Sequence, residues 1–599
     1  MNSPTSFYID KASNTFADNL LVFGFQRLLS ELCKIQGIQG NVACHDNGAY
    51  YSVALATPIV QSTLEKLREQ PAVPGTAVFI LTSKNKDNFP RDYPHIVDYE
   101  AAKEEVSLYF ASRSKAQNEQ NAPSPPHPHW EIYRAINLGA LQGYNKLIAN
   151  WWAVRGGQPE ICALLFELFS QTPNRVDAAI DAWKQLDKAY EWGISPYVTC
   201  LQLYNPSQGK GQNHVKADQV KIDNLKNGFW LLEWLKLVGF YEAALTRQIR
   251  GAKDRKTFVI APRDLSFAEN RDIMGRFADT MRFAEMPTRL DLLVAIHYLQ
   301  EALTYFNEPQ RRHRLLSAGN IKRKLVGGFS MAYYKDLGNT TATMNIAFIA
   351  LPGWVEVHSP DDIPMYRDLL DELERLVRQF DESHSDAFTL LQYLRDFVSG
   401  DDLDAFFRFT NAFPAYLMHN SGRGRTVRSF STKFVERLIM AVDNSEKRHF
   451  ADIIANPGFQ NIAYAIRQST RKALHWTEIE KQRGRRYPYD IRYGLGQELV
   501  RAAPFPSKFL SKLSDFLLEY NNETMQVEDL MRKRGLPFPF PHQRRSIDQN
   551  DITQIVQLID QFGSEPVAKL LIAYGYATDR PSNDDSADTN DNTNKENIE

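Results

Sequence analysis

After Ser359 the chain offers no stretch that alternates like a strand. It carries instead a succession of segments in which apolar residues return every three or four positions. These are DIPMYRDLLDELERLVRQF, DAFTLLQYLRDFVSG, LDAFFRFTNAFPAYLMH, FVERLIMAV, GFQNIAYAIRQSTRKALHWTEI, SKFLSKLSDFLLEYNNET and DITQIVQLIDQFGSEPVAKLLIAYGYA. A 3.6-residue period buries one stripe of a helix and leaves the other face wet. Short connections between such helices favour antiparallel packing, so a helical bundle is expected here.

The amino-terminal part is mixed. TFADNLLVFGFQRLLSELC (Thr15–Cys33) has helical spacing. YYSVALATPIV, TAVFILTS and KTFVIAP read as strands, the second buried on both faces. GFWLLEWLKLVGFYEAALTRQI (Gly228–Ile249) is apolar on most faces and predicts a core helix or a pair of them. Gly327–Val357 alternates around GNTT, which predicts a β-hairpin long enough to project as an arm. Ser112–His129 is polar and proline-rich, as a mobile linker is. The fold class expected is α+β: a mixed N-terminal α/β region with a β-hairpin arm, then an all-α C-terminal bundle. The divisions are 1–111 (α/β), 112–129 (linker), 130–358 (mixed helical core with basic loops and the hairpin), 359–420 (helical connector), 421–578 (bundle) and 579–599 (disordered acidic tail).

The net charge of −2 conceals an asymmetry. Residues 421–550 hold 23 Lys and Arg against 14 Asp and Glu, whereas 551–599 hold 3 against 10. Charge segregated in this way suits a polyanion-facing surface. Cys33, Cys44, Cys162 and Cys200 form no CxxC pair and read as small core residues in a reducing compartment. The start lacks a basic, apolar leader, and no apolar run is long enough to span a bilayer, so a cytoplasmic protein without a membrane role is expected.

Five stretches could carry chemistry. Arg483, Arg485, Arg486, Tyr487, Tyr489, Arg492, Tyr493 and Arg501 interleave phosphate-neutralising cations with rings on which an unpaired base can stack. SGRGRTVRS places Arg423, Arg425 and Arg428 around two glycines, whose backbone can approach an anion, without the GxxxxGKS/T spacing of a P-loop. YNPSQGKGQNHVKAD presents Asn205, Gln208, Lys210, Gln212, Asn213 and Lys216 on a loop; amides read base edges and lysines take phosphate. Beyond the core helix, RQIRGAKDRK supplies Arg247, Arg250, Lys253 and Arg255, which could equally cap a helix end. RRHRLLSAGNIKRK, with Lys322 and Arg323, reads alone as a solvated basic face. Last, His45–Asp46 could seed a metal phosphohydrolase site, but a turn before a strand is the simpler reading. No cofactor and no metal site are expected.

AYAIRQSTRKAL, YDIRYGLGQELVRAA, FLLEYNNET and LIDQFGSEPVAKLLIAYGYA resemble the C-terminal part of the large subunit of type I CRISPR Cascade complexes. The branch is the cyanobacterial and myxobacterial kind of type I-A and I-B systems. NPSQGKGQNHVKAD resembles that family's glycine–lysine loop, and GFWLLEWLKLVGFYEAA its following core helix. The likeness runs from about Tyr204 to Ala577 and is densest after Ile462. It implies a non-catalytic subunit of an RNA-guided DNA surveillance complex, in antiviral defence or transposon targeting. Such a subunit holds the guide RNA's 5′ handle, reads the motif flanking the target (the PAM) and stabilises the R-loop. Its partners would be guide RNA, double-stranded target DNA with its displaced strand, the Cascade backbone and end subunits, and a recruited helicase-nuclease or transposition proteins. The resemblance adds Arg467 and Arg471 to the nucleic-acid-binding set. It also implies a small subunit made from an internal start in the same gene, with Met418 and Met440 as candidate starts. A metal-dependent nuclease seeded by His45–Asp46, or an RNA-binding scaffold without a role at target DNA, are the alternatives.

Overall fold

A computed structural model of the chain describes residues 3–38, 41–85, 89–113, 127, 129–136, 138–206, 228–338, 341–446, 450–482, 489–535 and 544–579. Most of the expected linker and the tail from 580 onward lie outside these. The fold is α+β; among the described residues the strands lie in the N-terminal part, with helices beyond. It divides into two compact units. One comprises Met1–Leu290 and His297–Gly353, the other Asp291–Ile296 and Trp354–Glu599. The expected connector 359–420 therefore falls in the same unit as the bundle.

The strands of the first unit are β1 (Ser6–Asp10), β2 (Val42–Asp46), β3 (Tyr50–Leu55), β4 (Phe79–Leu81), β5 (Ile96–Asp98), β6 (Tyr197–Val198), β7 (Gly228–Phe229), β8 (Ala244–Gln248), β9 (Arg255–Pro262), β10 (Asp264–Ser266), β11 (Val326–Asp336) and β12 (Thr341–Ala350). Two four-stranded antiparallel sheets have the orders β1-β3-β2-β10 and β12-β11-β9-β8. The hairpin is present, from Gly328 opposite Ala350 to Asp336 opposite Thr341. It is not a free arm, because β9 pairs along the other side of β11.

Helix α1 (Phe16–Gln36) starts where Thr15 Oγ1 accepts the Ala17 amide and stops at Gly37, whose φ of 76° a side chain would strain. It is buried nearly all round. Two of its buried amides donate inside: Asn19 to the Ile260 carbonyl at 3.0 Å, and Gln26 to that of Val42 at 3.0 Å. Short helix α2 (Trp130–Ala135) packs on β8.

Against α1 lies α3 (Trp230–Ala243), the most extensive helix pairing in the unit. The two backbones touch through glycines. A Cβ on Gly24 would lie 1.9 Å from the Leu235 carbonyl oxygen, and one on Gly239 would lie 1.9 Å from that of Leu20. The helical reading of Gly228–Ile249 holds only to Ala243. Beyond it the chain becomes β8, because its backbone finds a ladder along β9, with Ala244 opposite Val259. All four cysteines are buried and free, as a core role requires.

The helices of the second unit are α4 (Asp362–Arg378), α5 (Ser385–Gly400), α6 (Leu403–Gly422), α7 (Thr432–Glu446), α8 (Phe450–Ile454), α9 (Pro457–Arg467), α10 (Ala473–Gln482), α11 (Leu495–Ala502), α12 (Pro506–Lys533), α13 (Gln549–Phe562) and α14 (Ser564–Gly575). Helix α14 is the hub, packed on by α6, α9, α11 and α13. Between α9 and α10, Gln468–Lys472 forms one π-helical turn. Among the described residues no helix is long and apolar enough to cross a membrane.

Candidate nucleic-acid interface

Several groups that the sequence offers to a polyanion are held inside the protein. Arg247, on β8, is only 4% exposed. Its guanidinium donates to the carbonyls of Thr246 at 2.7 Å and Ala278 at 2.9 Å, and also to that of Met281. Burial pushes its pKa down to about 10. Arg467 is buried to the same degree, donating to the Tyr574 carbonyl at 2.8 Å and to Asp579. Asn205 is buried too; its amide donates to Glu233 Oε2 at 2.8 Å, and its oxygen accepts from Lys236 at 2.8 Å. These three belong to the architecture rather than to a nucleic-acid surface. A guanidinium has five donors, and carbonyls far along the chain can satisfy them, which neighbouring residues in sequence do not show.

Of the remaining candidates in the first unit, Arg250 and Lys253 are exposed on the β8–β9 turn and Arg255 is half-buried. Arg323 is exposed and Lys322 half-buried in the short turn Ile321–Lys324. Gln208, Lys210, Gln212, Asn213 and Lys216 lie outside the described residues.

His45 and Asp46 end β2 instead of forming a turn. Successive strand residues point to opposite faces, and here they take different partners. His45 Nδ1 sits 3.1 Å from Asp264, and Asp46 accepts from Lys11 Nζ at 2.5 Å. Among the described residues no group of three His, Cys, Asp or Glu could hold a metal ion.

The second unit gathers stretches that are far apart in sequence. The Arg492 amide donates to the Ser469 carbonyl of the π turn at 2.9 Å. Arg471, from the same turn, donates to Ser429 Oγ at 2.5 Å. The exposed Tyr493 ring comes within 3.7 Å of where a Gly422 Cβ would stand. The loop 421–429, the π turn and the loop 489–494 are thus one surface. On it Arg423, Arg425 and Arg428 are exposed. Arg428 has its backbone clamped by the Gln379 amide, at 2.8 and 2.9 Å. Arg492 is half-buried and paired with Glu519 at 2.5 Å. Arg483, Arg485, Arg486 and Tyr487 lie outside the described residues.

Loop 489–494 is anchored by a residue the sequence reading passed over. Arg544 has a fully buried side chain and stacks 3.5 Å from the centroid of the Tyr489 ring. It pairs with Glu523 at 2.5 Å and donates to the Gln468 carbonyl at 3.3 Å. Burial pushes the Tyr489 hydroxyl up to about 12.

Beside this surface, α11 and α12 enclose a cleft of about 480 Å³ lined by Arg501, Lys508, Lys512, Ser507, Ser511 and Glu498. Arg501, Lys508 and Lys512 are exposed, and among the described residues none of the three has an ion-pair partner. Lys508 Nζ lies 4.6 Å from the ring centroid of Phe505, which is 55% exposed. Cations in excess over one carboxylate, hydroxyl donors in the cleft and an exposed ring beside Lys508 suit phosphates with a base stacked alongside. Arg501 was named from sequence; the lysines were legible only as an i, i+4 pair in SKFLSK. No family model matches the chain, and no curated protein matches it.

Proposed function

We propose that the chain is a non-catalytic, nucleic-acid-binding subunit of an RNA-guided DNA surveillance complex, the large subunit of a type I Cascade. The observation that carries the nucleic-acid reading is the cleft of Arg501, Lys508 and Lys512, three cations against the single carboxylate of Glu498, with no ion pair among the described residues. The resemblance of the surrounding segments supports the particular assembly. In this reading the helical unit follows the displaced strand, and the complex brings guide RNA, target DNA and backbone subunits.

The test has two arms. Binding of the full chain to a fluorescent single-stranded oligonucleotide is measured across salt concentrations, for wild type and for R501A/K508A/K512A. The slope of log K against log salt is expected to fall by about 2, since each single-strand phosphate contact contributes about 0.7. An unchanged slope in a folded variant would remove the cleft from the interface. Co-expression with Cascade backbone subunits and a guide RNA tests the assembly; failure to co-purify would leave a nucleic-acid-binding protein of another kind.

A further inference from the structure

The sheet β12-β11-β9-β8 has two outer strands. β8 is buried over most of its length, with α2 packed on it. β12 is left open. It runs for 10 residues, TATMNIAFIA, without one charge or proline. Edge strands are ordinarily kept short, charged, proline-bearing or covered, because an unpaired row of amides and carbonyls recruits another strand. Among the described residues the backbone of 342–350 pairs only with β11. Ile346 and Phe348 share one face, with Phe348 51% exposed; Met344, 55% exposed, is the extra residue of a bulge opposite Tyr333 and Tyr334.

That face borders a cleft of about 480 Å³ whose lining includes Ser330, Ile346, Phe348 and Arg263. Arg263 is exposed and has no ion-pair partner among the described residues. Its Nε lies 3.2 Å from where a Gly327 Cβ would stand, and Phe348 Cζ lies 3.6 Å from the same point. The missing side chain at Gly327 therefore lets an unpaired cation sit beside the Phe348 ring.

We propose that β12 is a strand-addition site. Its occupant is an extended segment of a partner protein, apolar at alternate positions and carrying one carboxylate for Arg263. Main-chain hydrogen bonds along the open edge supply affinity. Ile346 and Phe348 cover alternate side chains of the guest, which pairs on the regular stretch 345–350, and Arg263 selects the acid. A second copy of this chain fits less well. The β12 strand itself carries no carboxylate to offer the Arg263 of a second copy. A single edge contact also falls short of the roughly 1,200 Å² that a stable association of two globular surfaces buries.

The probe is a panel of acetylated ten-residue peptides that alternate valine and threonine, with one glutamate moved through the ten positions. Hydrogen exchange of the full chain is followed by mass spectrometry. With at least one glutamate position, exchange over 341–350 is expected to slow about tenfold or more. Lysine in place of that glutamate should weaken the protection, and R263E should reverse the preference. N-methylating the guest's edge-facing amides should abolish it. The proposal fails if no peptide protects β12, or if protection survives N-methylation of either alternate set of amides. It also fails if 341–350 of the free chain is protected in a concentration-dependent way, which would make a second copy the occupant.

Discussion

Alanine at Gly24 or Gly239 is expected to cost the first unit most or all of its stability. Each new Cβ would have to occupy space 1.9 Å from a backbone oxygen of the facing helix, and no rotamer change relieves a contact with backbone. The helices must move apart. Because α1 is buried nearly all round, separation on one side disturbs packing on the others. Overpacking a core costs about 1–3 kcal/mol when side chains can give way. Here the obstacle is backbone, so the loss should exceed that range and approach the roughly 5–15 kcal/mol of a whole domain. Gly275 is the control: it lies in the helix Phe267–Thr280, and a Cβ there meets nothing within 4 Å. G275A should be neutral or gain up to about 1 kcal/mol. Urea titration with tryptophan fluorescence would read all three variants, since Trp151 and Trp234 stack at 3.6 Å on this same helix layer. A folded G239A with an unchanged midpoint would refute the close-approach argument.

Removal of Arg544 is the second large effect. Its side chain is fully buried, and that of its partner Glu523 is 13% exposed. R544A strands the carboxylate and empties the space against Tyr489. Breaking a buried pair in this way costs about 3–5 kcal/mol. R544K should recover only part, because an ammonium cannot lie flat on the ring and also serve two acceptors in the fixed geometry of a guanidinium. The loss should be sharpest in exchange protection of 489–494 and 520–531, measured on the full chain. Uniform loss across the helical unit, with these segments no worse than the rest, would count against a local anchor.

What sequence made legible follows from which signals are local. Periodicity found the helices because an apolar stripe is written within each segment; for α1 it stopped at Cys33, short of the end that the backbone sets at Gly37. The change from α3 to β8 was not legible. An apolar run fits a buried helix or a buried strand, and the choice was made by β9, a separate segment. The same limit governed the arginines. Arg247 and Arg467 look like Arg501 in sequence; their difference lies in carbonyls at Ala278, Met281 and Tyr574 that fold against them. Arg544 was overlooked because nothing beside it announces a buried pair, and its partners Glu523 and Tyr489 come from other segments.

The π turn at Gln468–Lys472 has a consequence best put in terms of insertions and deletions. In a π turn the hydrogen-bond ladder skips one residue further than in an α-helix. Two carbonyls of this turn, those of Gln468 and Ser469, receive donors from Arg544 and Arg492. Deleting one residue between 468 and 472 would let the run close into plain α-helix. Because a π turn fits one extra residue into about the rotation of an α-helical turn, α10 would keep nearly its orientation, while the carbonyls would be drawn back to their own ladder. The extra residue therefore serves the donors of Arg544 and Arg492, and the stretch is constrained in sequence as well as in length, since Gln468, Ser469 and Thr470 are buried. An alignment that opens a gap here describes an unmoored 489–494 loop, rather than a redirected or shortened helix.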